Sequence, residues 1–87
     1  MQFQGAVIKE QGITFAVVIV KPHVVSNTTE ARKLIHNFQA QAFPGIPVVL
    51  MAQDHSGTPT YYGRQDIARF MANVPLHAVP WKEYSLS

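Results

Sequence analysis

The side chains of this chain that could do chemistry fall into three short runs. Lys21-Pro22-His23 closes one apolar segment, and Gln53-Asp54-His55 closes another. A lysine, two histidines and a carboxylate at one edge can hold an anion, or move a proton with His55 or Asp54 as acceptor. The third run, Thr58-Pro59-Thr60-Tyr61-Tyr62-Gly63-Arg64, sets two adjacent tyrosines and an arginine ahead of a helix. One tyrosine is expected to staple that helix while its neighbour faces elsewhere, with Gly63 as the cap. Arg64 at a helix start opposes the macrodipole by a few tenths to about 1 kcal/mol. A local pair with Asp54 or Asp66 would offset that cost, and so would an acidic or aromatic ligand.

Other chemistries find no support. With no cysteine among 87 residues, a disulfide scaffold, a zinc–thiolate site and thiol catalysis are excluded. The histidines at 23, 36, 55 and 77 have no metal-ligand spacing, so no metal and no cofactor is expected. Neither a Gly-x-Ser-x-Gly elbow nor a glycine-rich phosphate loop is present. Asp66 reads as a first-turn helix acid and not as half of a catalytic carboxylate pair. Seven Lys and Arg against five Asp and Glu leave a net charge of +2. The basic residues are scattered along the chain, and only Arg32 and Lys33 adjoin. Nucleic acid is therefore not the expected partner, because its binders usually show a basic stripe.

The elements that must position these residues follow from the apolar pattern. Phe3 to Lys9 and Ile13 to Val20, joined by Glu10-Gln11-Gly12, read as a hairpin. The second of these strands is apolar on both faces and belongs inside a sheet. Asn27 caps a helix with Glu30 three residues on, as in a capping box. Ala31, Leu34, Ile35, Phe38 and Ala42 make its buried stripe, and Phe43-Pro44-Gly45 stops it. Ile46 to Ala52 is a third strand with Pro47 at its start, and Gln53 to Gly63 a polar loop. A second helix spans about Arg64 to Asn73. Leu76 to Trp81 is an edge strand, because Pro80 cannot donate to a ladder. The tail from Lys82 to Ser87 is expected to fray.

The order β-β-α-β-α-β over residues 1–87 predicts one small α/β domain in two layers, with a mixed sheet, an N-terminal hairpin and both helices on one face. A strand–helix–strand unit makes the second and third strands parallel. The uncovered face would then show Val and Ile to water, which predicts a homodimer through it. The stretch from Pro47 through Tyr62 to Phe70 resembles the end of thioredoxin-like domains in Pro47, Gly63 and the Ile67, Phe70, Met71 stripe. The redox Cys-x-x-Cys is missing, and no activity is carried over.

Met1-Gln2-Phe3-Gln4-Gly5 lacks the basic-then-apolar pattern of a leader. The eight-residue apolar run Ile13 to Val20 is far short of the roughly 20 residues a spanning helix needs. A cytoplasmic protein with no membrane association is expected. Ligands of open α/β sheets bind outside the strand C-terminal ends. The expected function is thus non-catalytic binding of a partner or small anion by Lys21, His23, Asp54, His55, Tyr61, Tyr62 and Arg64. One alternative is an enzyme using the His/Asp acid–base pair on an anionic substrate held by Lys21 or Arg64. The other is weak single-stranded nucleic-acid binding through Tyr61, Tyr62 and Arg64.

Overall fold

In the computed structural model, which describes residues 1–10 and 12–86, strand β1 (Gln2–Glu10) pairs antiparallel with β2 (Ile13–Ile19). Gly12 takes a φ of 80° in the turn between them, and Gln11 lies outside the described residues. After β2 the chain makes a short helix α1 (Pro22–Ser26), then α2 (Thr28–Gln41), and returns as β3 (Val48–Gln53). β3 runs parallel to β2, with Ala16 opposite Val48 and Ile19 opposite Met51. Strand β4 (Pro59–Tyr62) folds back antiparallel on β3, helix α3 (Gln65–Ala72) follows, and β5 (Lys82–Ser85) pairs antiparallel with β1. The sheet order is β4-β3-β2-β1-β5. The expected α/β class, mixed sheet, N-terminal hairpin and pair of main helices are what the chain forms.

Alternation along the strands decides where the helices go. Ala16, Val18, Val48 and Leu50 face one way and pack with Val24 of α1 and with Ala31 and Phe38 of α2. Phe15, Val17, Val49 and Met51 face the other way and pack with Ile67 and Met71 of α3 and with Val79. The expectation of both helices on one face is therefore corrected. β4 adds an antiparallel step between β3 and α3, so the chain reaches α3 by a different route from the crossover that places α2. Both faces of β2 and β3 are covered, and the open apolar face argued for a homodimer is not there. Among the described residues only Met1 and Val7 are exposed large hydrophobics.

Three further expectations change. Residues 59–62 form an edge strand instead of loop: Gly63, at φ 151°, a conformation side chains rarely adopt, lies against Val48 and Val49 with little room for a Cβ and so lets the end of β4 come close to β3. Leu76–Ala78 is a 3-10 turn and not a strand, and Trp81 Nε1 donates to Leu76 O across it at 3.1 Å. The last strand is instead 82–85, in the segment expected to fray, where Tyr84 stacks on Phe3 at 5.4 Å between centroids. The α2 cap forms as expected, with Glu30 N donating to Asn27 Oδ1 at 3.1 Å. No helix of the described chain is long and apolar enough to cross a membrane.

Candidate functional site

The parallel register carries β2 and β3 out of the sheet at one end, so Lys21 and Asp54 leave on the same rim. His23 stands exposed on α1, which packs against β3 and β4, and His55 is exposed in the turn after β3. Asp54 is committed to that turn. Its Oδ1 accepts from Ser56 N at 2.9 Å, Ser56 Oγ at 2.7 Å and Thr58 N at 3.0 Å. The Ser56 hydroxyl first, and then the turn amides, hold its carboxyl below the usual 3.8. Such a carboxylate folds a loop and is a poor proton acceptor. Among the described residues, the side chains of Lys21, His23 and His55 form no hydrogen bond with one another or with Asp54, and no group of three metal-ligating side chains converges.

Tyr61, Tyr62 and Arg64 do not join this rim. β4 runs back along β3, from Pro59 opposite Gln53 to Tyr62 opposite Leu50. Arg64 thus lies at the other end of the sheet, where β3 begins. Adjacent positions on a strand face opposite ways, so Tyr62 packs on the α2 side and Tyr61 on the α3 side. The Tyr61 hydroxyl is buried with no hydrogen-bond partner among the described residues, and burial raises its pKa above 10.0. Arg64 takes the local partner expected of it. Nε and Nη2 donate to Asp66 Oδ1 and Oδ2 at 2.8 and 2.9 Å. That pair is the single ion pair among the described residues, and it holds the Asp66 carboxyl below 3.8.

The widest described cleft, about 880 Å³, opens at this second end, between α2 and the β4–α3 junction. Its floor is apolar: Ile35, Ile46, Pro47, Val48 and Tyr62. Its rim is polar: Arg32 and Gln39 from α2, Arg64 and Gln65 from the start of α3. No carboxylate lines it. Gln39 Nε2 donates to Ile46 O at 3.4 Å and ties α2 to the loop that enters β3. The Arg64–Asp66 fork fixes the guanidinium while Nη1 makes no bond within the described chain. Such a surface can desolvate an apolar body and engage one anionic group.

Of the seven residues expected at a site, the cleft includes Tyr62 and Arg64. Lys21, His23, Asp54 and His55 share a rim without a cleft described there, and Tyr61 faces the α3 side. Sequence reasoning missed Arg32, Gln39 and Gln65. A signal for two of them was present: Arg32, Ile35 and Gln39 recur at helical spacing and so line one flank of the α2 stripe. Comparison with family models, curated proteins and solved structures finds no match for this chain.

Proposed function

We propose that this chain is a non-catalytic binding domain, cytoplasmic in setting, whose cleft takes a small ligand with an anionic group and an apolar body. The observation that carries this is the pair of arginines, 32 and 64, brought from distant parts of the chain to the rim of an apolar-floored cleft that contains no acid. Its volume falls in the roughly 300–1,000 Å³ range of small-ligand sites. Arginine suits the task because its planar fork stays charged and matches carboxylate, sulfonate or phosphate oxygens. The enzyme reading loses ground, because Asp54 is engaged in its own turn and Arg64 stands at the far end of the sheet from His55. The anion site expected at the strand C-terminal edge gives way to this cleft, which has an apolar floor and two arginines on its rim.

Anilinonaphthalene sulfonate, an anion on an aromatic body, tests the proposal. Its fluorescence should rise to saturation with wild-type protein, and Arg32→Ala and Arg64→Ala should each weaken binding by about tenfold or more, the worth of one charged hydrogen bond. Unchanged near-ultraviolet circular dichroism from Trp81 would show that the variants keep their packing. Dye binding indifferent to both arginines would overturn the assignment.

A further inference from the structure

The basic residues that look scattered in the sequence are gathered by the fold. A second depression of about 420 Å³ is lined by Arg32, Lys33, His36 and Asn37, and meets the cleft at Arg32. A third, of about 360 Å³, includes Tyr61, Tyr62, Gly63, Gln65 and Arg69, and meets the cleft at Tyr62, Gly63 and Gln65. Arg32, Lys33, Arg64 and Arg69, four of the seven lysines and arginines, therefore border three adjoining depressions that share wall residues and make a basic track, with exposed His36 beside them. None of the five Asp and Glu lines any of the three depressions. Asp66 balances Arg64 from outside the track, and Arg32, Lys33 and Arg69 have no ion-pair partner among the described residues.

We propose that this track binds single-stranded nucleic acid. This rests on the cleft reading and extends it. Single-strand binders combine spaced cations for the phosphates with an aromatic ring for a base. Here Tyr62, half-buried on the floor of the central cleft, supplies the ring. An extended acidic peptide fits less well. It would gain affinity by adding to the β4 edge, but β4 has only four residues and begins with Pro59, which has no N–H to donate.

The test is fluorescence anisotropy of the intact protein with a fluorescein-labelled oligothymidylate of about 12 nucleotides. Affinity should fall between about 50 and 200 mM salt, with a log–log slope of about −2 to −3 for three or four phosphate contacts. Lys33→Gln and Arg69→Gln, exposed and outside the central cleft, should each weaken binding severalfold and reduce the slope by about 0.7. Both should leave the sulfonate dye's affinity unchanged, which also shows that they fold. Absence of binding at the lower salt would overturn the proposal, as would indifference to both variants. Poly-L-glutamate serves as competitor: its failure to displace the oligonucleotide is the expected result, and equal binding of it would assign the track to acidic polypeptides instead. Dye binding without oligonucleotide binding removes this inference alone; loss of both removes the cleft reading as well.

Discussion

Asn27 shows how much one side chain can organise. Its backbone N–H closes α1 on Val24 O while its side chain opens α2 by accepting from Glu30 N. Asn27→Ala should lower stability by about 1 kcal/mol, the usual worth of a cap, read as a shift in the urea midpoint. Tyr61 works the other way. Its buried hydroxyl has no partner among the described residues, so Tyr61→Phe should raise stability by about 1 kcal/mol. Asp54 and Asp66 both sit below their ordinary 3.8. A depressed carboxyl stabilises the folded state above its unfolded value, and that stability is lost as pH falls through the folded value. The urea midpoint should thus hold through neutral pH and drop below about pH 4. Asp54→Asn should flatten part of that drop, and a decline of unchanged size in this variant would contradict the role given to the turn.

At the scale of elements, Gly63 lets the chain leave β4 close against β3. A Cβ there would stand 3.0 Å from Val49 Cγ2 and 3.2 Å from Val48 O, on a backbone at φ 151°. Gly63→Ala should cost about 1–3 kcal/mol and loosen the floor of the cleft, measured by thermal melting and by dye affinity together. This strand was also the least legible element. Pro59-Thr60-Tyr61-Tyr62 is short and lies among turn formers, and only its pairing with β3 makes it a strand. The hairpin, the buried β2 and the Asn27 cap were readable because each leaves a local mark: a turn glycine, apolar side chains on both faces, an acceptor three residues before Glu30. The side of the sheet that α3 covers leaves no such mark. It follows from β4, so missing β4 put both helices on one face and opened a surface that does not exist. The site suffered likewise. The parallel register brings Lys21 and Asp54 out at one end of the sheet, whereas β4 leads Arg64 to the other. Lys82–Ser85 looked like a frayed tail because its anchor, the Tyr84–Phe3 stack, joins opposite ends of the chain.

At the scale of the whole molecule, Met1 and Val7 are the exposed large hydrophobics among the described residues. The radius of gyration is 12.0 Å, matching the roughly 12 Å of a compact chain of this length. Both faces of β2 and β3 are covered, and both sheet edges are blunted, by Pro59 on β4 and by Lys82 and Glu83 on β5. With both faces of β2 and β3 covered, light scattering at micromolar concentration should give a 9.7 kDa particle, and a particle of twice that mass would contradict this. The proposed ligand has two candidate seats at opposite ends of one sheet: the strand C-terminal rim that α/β topology favours, and the basic cleft between α2 and the β4–α3 corner. Amide chemical-shift mapping of the ¹⁵N-labelled protein during titration with the sulfonate dye decides between them most directly. Shifts confined to Arg32, Gln39, Ile46, Gly63 and Gln65 are the expected result. Shifts at Lys21, His23, His55 and Thr58, with the cleft amides unmoved, would contradict it.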